Sequence, residues 1–471
     1  MSTRFPFRYG IASLSRLPHL IVRAEVEVDH QRCIGMAADG LAPKWFTKNP
    51  DTDFEQQDLP QMLRVIQHAA NLSRDLGAQA NFFSWWHELY ASQHAWAADH
   101  NLPPLLANFG CSLIERAVLE ACCRRHEISL SSALRSNVLA LDLGVIRSEL
   151  SNLQPVDVLP KQPLPSVVLR HTVGISDPFT DGELDPSDQV KDGLPHSLVS
   201  AIRTYGLTHF KIKLSGNHRQ DRERLQELAG LLRSQVGKEM RFTLDANEQY
   251  ESMESFRDQW RALCLDPPVR RMIDESLLFV EQPVHRDFAL HDETYEAFNG
   301  WPDAPPIIID ESDADLGTLP RALKIGYAGT SHKNCKGVVK SLAAAATIRN
   351  TDDLRNTNNL GQSRILSGED LANVGPIALN QDLAVVAALG IPHVERNGHH
   401  YFAGLQMYSR AIQEQVVSDH PDLYAWHDEG FAHVMPQGGR LHLESLNLAP
   451  LGVARLIDLR SIDRWDLSGY S

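Results

Sequence analysis

Cysteine is scarce in this chain. Six cysteines fall among 471 residues, at positions 33, 111, 122, 123, 264 and 335. None has the paired spacing of a metal-binding knuckle, and a disulfide framework is not expected at this length. A reducing, cytoplasmic setting is the expectation. No apolar run is long enough to cross a bilayer. The opening stretch MSTRFPFRYG lacks the apolar core of a signal peptide. Basic residues are outnumbered, with 45 Lys and Arg against 60 Asp and Glu, which gives a formal charge of -15. An acidic surface repels nucleic acid and anionic membranes, so neither is expected as a partner. The same balance says little about a small anionic substrate, whose site is governed by local lysines or a metal. No short-period repeat or low-complexity stretch breaks the chain.

The remaining composition, 43% hydrophobic and 22% charged, is that of a soluble globular protein. The length points to two domains, or to one large barrel with additions. The first 160 residues read as an α+β unit. LIVRAEVEV (20–28) alternates like a strand, and CIGMAAD is a candidate hairpin partner. Helical stretches follow. DLPQMLRVIQHAANL has Asp58 as its candidate N-cap, FFSWWHELYASQHAW contains a core-like Trp85-Trp86 pair, and SLIERAVLEACCRRH turns Leu113, Ala117, Leu119, Ala121 and Cys122 inward. From about residue 165 the texture changes. Strand-like segments near 168, 210, 243, 279, 308, 331, 366 and 393 alternate with helical ones, and HSLVSAIRTYG ends at Gly206 as a helix stop. Eight such units predict a parallel α/β barrel over 161–404. The unit at 1–160 would then be completed by the mixed β segment 405–471.

Charged residues sit at the ends of these apolar runs, in THFKIKLSG, MRFTLDANEQY, LLFVEQP, PPIIIDES and GTSHKNCKG. The tips are Lys213, Asp245, Glu281, Asp310 and Lys333. Carboxyl ends of barrel strands are where active sites form. Three carboxylates brought together there repel one another unless one is protonated or a cation joins them. A hard divalent ion with oxygen ligands, Mg²⁺ above all, removes the conflict. Lys211 and Lys213 are two apart and share one strand face, which must be the barrel interior. Lysines held near a metal and near each other are expected to have lowered pKa values and to act as bases. Lys333 lies across the barrel. Two bases on opposite sides of a metal-bound carboxylate would each reach one face of its α-carbon, and the metal would stabilise the enediolate. Lys336, three residues on, leaves the choice of the second base open.

The ordered series KIK, LDANEQY, VEQP, DES and SHKNCKG resembles the enolase superfamily, in particular its muconate-lactonizing-enzyme-like subgroup. The resemblance covers about 165 to 400, and the β-then-α start is similar to that family's capping domain. It implies a modified (β/α)7β TIM barrel, Mg²⁺ as cofactor, and removal of a proton α to the carboxylate of a small-molecule substrate. It implies Lys213 as general acid/base with Lys211 as electrostatic partner, Lys333 as the opposite acid/base, and Asp245, Glu281 and Asp310 as metal ligands. Asn247 and Glu311 fall at supporting positions. A homo-oligomer is the expected assembly.

The chain departs from the family pattern in places. Lys336 is followed by Gly337, Val338 and Val339 instead of two glycines, and His332 precedes Lys333. The eighth strand ends in Glu395-Arg396-Asn397-Gly398-His399-His400, without the paired aspartates of dipeptide epimerases, which argues against a dipeptide substrate. Glu395 is a candidate substrate contact. Arg8, beside Phe5, Phe7 and Tyr9, is a candidate carboxylate clamp from the capping loop. His332 and Lys336 are further candidates for supporting or substrate-binding roles. Trp45 and Phe46 belong either to a second capping loop or to the capping core. His171 either faces the mouth or is structural, and the adjacent His399 and His400 either ligate or orient substrate or, as is commoner for such a pair in a loop, face solvent. The expected reaction is racemisation, epimerisation or cycloisomerisation, with β-elimination of water as the alternative on the same frame. A Schiff-base lyase and a non-catalytic barrel that binds metal and ligand are the competing readings.

Overall fold

The computed structural model describes residues 1–9, 12–184, 190–358, 364–462 and 464–465. The chain begins with an antiparallel hairpin, Ser2–Tyr9 on Ala12–Arg16, where the sequence offered no clear strand. A longer hairpin pairs His19–Val28 with Gln31–Gly40, in register from His19 opposite Gly40 to Val28 opposite Gln31. The expected alternation holds in the first of its strands, where one face meets solvent and the other packs inward. Helices Leu59–Asp75, Phe82–Asp99 and Pro104–Arg125 follow. Asp58 does not cap the first of these. A π-helical turn, Phe54–Asp58, precedes it, and Asp53 caps that turn by accepting from the Gln56 amide. Asp58 is instead buried against Lys44 (2.8 Å) and Thr52 (2.7 Å).

Helix Pro104–Arg125 is buried on every side from Leu105 to Cys123, because it lies between the hairpin, the neighbouring helices and the barrel. The hairpin crosses it at Gly35, where a Cβ would meet the Ala117 carbonyl oxygen at 2.0 Å. No other residue type fits that approach without moving the backbone.

Eight parallel strands form the closed barrel: Ser166–Val173, His209–Lys213, Arg241–Asp245, Leu277–Glu281, Ile307–Ile309, Gly329–His332, Ile365–Gly368 and His393–Arg396. The eighth pairs with the first, Glu395 opposite Arg170. All eight lie where the sequence pattern predicts them. Helices follow the first seven strands, so the architecture is the expected α/β (β/α)7β barrel with an N-terminal unit of small antiparallel sheets and helices. Local chemistry sets the crossovers. Ser197, Asn217, Ser252 and Asp266 each accept an amide hydrogen bond at the start of a helix. Gly206 (φ +67°) ends the first crossover helix in the left-handed conformation. After the barrel, Arg440–His442 adds antiparallel to the first strand, and Val453 and Ala454 receive hydrogen bonds from Arg124 of the long helix. Among the described residues no helix is long and apolar enough to cross a membrane.

Candidate active site

Strand register brings the predicted charges together. Lys213 stands opposite Asp245, and Asp245 opposite Glu281, so three charged tips occupy one level of the rim on adjacent strands. Asp310 follows the fifth strand directly and Lys333 the sixth. Lys211 lies one inward position below Lys213, with Ile212 turned out between them. All of these side chains are buried.

Lys211 sits at the centre. Its Nζ is 3.0 Å from Asp245, 2.9 Å from both oxygens of Glu281, 2.9 Å from Glu369 and 2.8 Å from Glu395. An ammonium has three N–H groups, and four carboxylates surround this one. Glu281 Oε2 is left without a well-formed hydrogen bond. Lys213 holds Asp245 Oδ2 at 2.5 Å. Lys333 holds Asp310 Oδ2 and Glu369 Oε2, each at 2.7 Å.

Burial disfavours the Lys211 ammonium, but Asp245, Glu281, Glu369 and Glu395 outweigh it and hold its pKa well above the ordinary lysine value. Burial likewise opposes the charge on Lys333, and Asp310 and Glu369 hold its pKa well up. The lowering expected of Lys211 is therefore reversed, because four carboxylates surround its ammonium. Burial pushes the Glu281 carboxyl well up, reinforced by Asp245 and Glu369. Asp310 is also desolvated, yet Lys333 and Lys336 hold it well below the usual carboxylate range.

The supporting residues divide into two groups. Asn247 donates its amide N–H to Asp245 Oδ1 (2.8 Å) and its side-chain N–H to Glu311 (3.4 Å). Burial and the nearby Asp310 raise Glu311 to about 7. Asn247, Glu248 and Gln282 hold left-handed φ values of +43°, +67° and +36° at the tips of the third and fourth strands. Such strain collects where surrounding structure fixes a functional site. Gln282 Oε1 accepts the Asp310 amide (2.8 Å) and so fixes the next metal-ligand candidate. Glu395 lines the cavity and also accepts from Thr172 (2.5 Å) and Asn397 (3.1 Å).

His332 and Lys336 do not reach the cavity. The His332 ring is bonded to Ser341 (2.7 Å), and Lys336 lies behind Asp310 (2.9 Å) and the Ser331 carbonyl (3.0 Å). Of Lys333 and Lys336, only Lys333 lines the cavity. Arg8 pairs with Ser13 in the first hairpin, and its side chain lies outside the described residues. His399 and His400 are not solvent-facing. A short helix, Gly398–Tyr401, buries both, and His399 Nε2 lies 3.1 Å from His171 Nδ1. His171 alternates with the inward Arg170 and Thr172 and so points away from the mouth.

Glu369 at the seventh strand tip was not singled out from the sequence. Its amide N–H is bonded to the His332 carbonyl (2.9 Å), and Arg170 holds Oε1 at 2.9 Å from inside the barrel. RILSGED places a carboxylate directly after a strand, as at the other tips, but Ser367 and Gly368 interrupt the apolar run that marked those tips.

The cavity opens to solvent, and the space between its walls, open solvent included, is about 440 Å³. Lys211, Lys213, Asp245, Asp310, Lys333 and Glu395 form its charged floor, while Ala42, Trp45, Leu371 and Ala372 give an apolar wall. The Lys333 Nζ lies 5.1 Å from the Trp45 ring centroid, a cation–π contact. Phe46 turns the other way, onto Phe109. Trp45 and Phe46 thus divide between site and core. The acidic groups suit a hard divalent cation. Glu281, Asp310 and Glu369 offer buried oxygens within 4.8 Å of one another, and Glu281 Oε2 makes no well-formed hydrogen bond.

No family model matches the sequence, and no curated protein matches it. Solved structures do. A mandelate racemase/muconate lactonizing enzyme from Bordetella bronchiseptica is 14% identical, with 95% of this chain and 98% of that one covered at a TM-score of 0.54. The chain has the mandelate racemase/muconate lactonizing enzyme fold. An N-succinyl Arg/Lys racemase from Bacillus cereus is 15% identical (94% of each chain, TM-score 0.56). A dipeptide epimerase from Enterococcus faecalis, in complex with Mg and the dipeptide L-Leu-L-Tyr, is 15% identical (94% and 96%, TM-score 0.55). The shared fold spans the N-terminal unit as well as the barrel.

Proposed function

We propose that this protein is a Mg²⁺-dependent enzyme of the enolase superfamily that removes the α-proton of a small carboxylic acid. One observation carries the reading: Lys213 and Lys333, from the second and sixth strands, line one cavity around a buried group of carboxylates. Asp245, Glu281 and Asp310 would hold the cation. When bound, the cation supplies positive charge to the substrate carboxylate and relieves repulsion among the acidic groups.

Lys213 Nζ accepts the α-proton on one face, with Asp245 fixing its position and Lys211 adding a neighbouring positive charge. Lys333 Nζ stands ready on the other face to deliver or take a proton. Racemisation or epimerisation uses both amines directly. Cycloisomerisation and β-elimination of water are alternatives on the same frame. The racemase and epimerase that share this fold support the former pair. A dipeptide is not proposed as substrate, since Arg396 in the eighth strand is committed to Asp370 (2.8 Å) and Asp382 (3.1 Å) and no aspartate pair is present there. The remote part of the acid would meet Trp45 and Leu371, which favours an uncharged group at that end.

The test is incubation with pooled carboxylic acids in D₂O with Mg²⁺. Exchange of an α-hydrogen that stops on metal chelation is the expected result. Cation binding without exchange of any acid would favour a binding protein. Borohydride trapping of a keto acid on Lys213 or Lys333 without metal would favour a Schiff-base lyase.

A further inference from the structure

Glu369 lies outside the five strand tips that carry the proposed function, yet the site converges on it. One oxygen, Oε2, serves two ammonium groups at once, Lys211 at 2.9 Å and Lys333 at 2.7 Å. The other, Oε1, is held at 2.9 Å by Arg170, which is fully buried and further fixed by the Ser367 hydroxyl (3.0 Å), the Gly368 carbonyl (3.2 Å) and the Phe279 ring. The carboxylate is therefore anchored from the barrel interior with one oxygen presented upward. Glu369 also offers an oxygen within 4.8 Å of oxygens from Glu281 and Asp310, a grouping that leaves out Asp245.

A second observation concerns how these groups are paired. The ammonium of Lys211 has three hydrogens for four carboxylates, and the buried Glu281 Oε2, 2.9 Å from it, makes no well-formed hydrogen bond. Buried carboxylate oxygens that lack donors are costly unless a cation meets them. Asp245 is likewise engaged on both oxygens, by Lys213 and Lys211 on one and by the Asn247 amide on the other.

We propose that Glu369 is a ligand of the divalent cation in this chain, with Glu281 and Asp310, so that the seventh strand contributes to the metal site. The inference rests on the proposed function for the presence of a cation and adds a residue to its shell. It also gives the cation a place in ordering the lysines. Glu369 ties Lys211 and Lys333 to one oxygen, the one it would offer to a cation.

The experiment measures Mn²⁺ binding by the electron paramagnetic resonance of free Mn²⁺, on the full chain and on its E369Q and E369D variants. E369Q removes charge and one oxygen. E369D keeps the charge but withdraws it by one methylene, so it separates ligation from through-space attraction. The proposal expects Kd to rise at least fivefold in both variants, with melting temperatures showing that each is folded. A rise of less than fivefold in either variant overturns it. An E369D variant that binds like the parent assigns Glu369 an electrostatic role only. Should E369Q not fold, E369D alone decides. If the parent chain binds no Mn²⁺, the proposed function fails before the question of Glu369 arises.

Discussion

The long helix of the N-terminal unit and the mouth of the barrel both bury charge, but they handle it in opposite ways. On the helix each buried group has partners of its own. Arg116 meets Asp39 at 2.7 Å and also donates to the Ala38 and Ser112 carbonyls. Glu120 takes Arg124 at 2.6 Å and the Met36 amide. Glu115 accepts the Val338 and Val339 amides at the start of the helix after the sixth strand, together with the Trp86 indole N–H. These pairings join elements distant in the chain and satisfy the groups they bury. At the mouth the partners are shared. Four carboxylates crowd one lysine, and one glutamate oxygen serves two lysines. Shared partners of this kind do not fix one arrangement as the helix pairings do, which is the mark of a site shaped for a ligand rather than for stability.

Substitutions that separate function from folding test this contrast. The largest effect is expected at the mouth. Lys333→Ala should slow α-hydrogen exchange by about 10²–10⁴-fold, the usual contribution of a general acid or base, with little change in the urea midpoint. On the helix the order reverses. Arg116→Met strands the buried Asp39 and should cost about 3–5 kcal/mol in urea unfolding.

A smaller effect depends on pH. Burial pushes the Glu115 carboxyl up to about 7, against the pull of its amide donors, from an ordinary value of 4.5. Between those values the folded protein keeps a proton that the unfolded chain has released. Stability therefore falls as pH rises through that window. E115Q removes this group's share, and the loss of stability from pH 5 to pH 7 should shrink by about 1–2 kcal/mol. The smallest effect is expected for Glu281→Gln without divalent cations. The neighbours of Glu281 already disfavour its charged form, so the melting temperature should hold or rise, a change within about 1 kcal/mol. A large destabilisation there would remove the distinction between the two regions.

Much of this was readable in the sequence because strands and their tips obey short-range rules. All eight barrel strands fall in strand-like segments of the sequence. Lys213, Asp245 and Glu281 end on one level because parallel register aligns the ends of adjacent strands. What escaped depends on contacts between distant segments. Glu369 follows Ser367 and Gly368, so no apolar run announced it. His399 and His400 look like an exposed polar pair, and only tertiary packing buries them beside His171. The charge state of Lys211 depends on four carboxylates from four other strands, and no local pattern counts them.

The central claim is that the crowded charges at the mouth are kept for proton transfer and not for folding. Lys213→Ala tests it most directly, with α-hydrogen exchange in D₂O and thermal unfolding measured on the same preparation. The account predicts a folded protein, with a melting temperature within a few degrees of the parent by the usual scale of small stability changes, that no longer exchanges the α-hydrogen of an acid the parent turns over. A variant that unfolds, or one that exchanges at the parent rate, would contradict it.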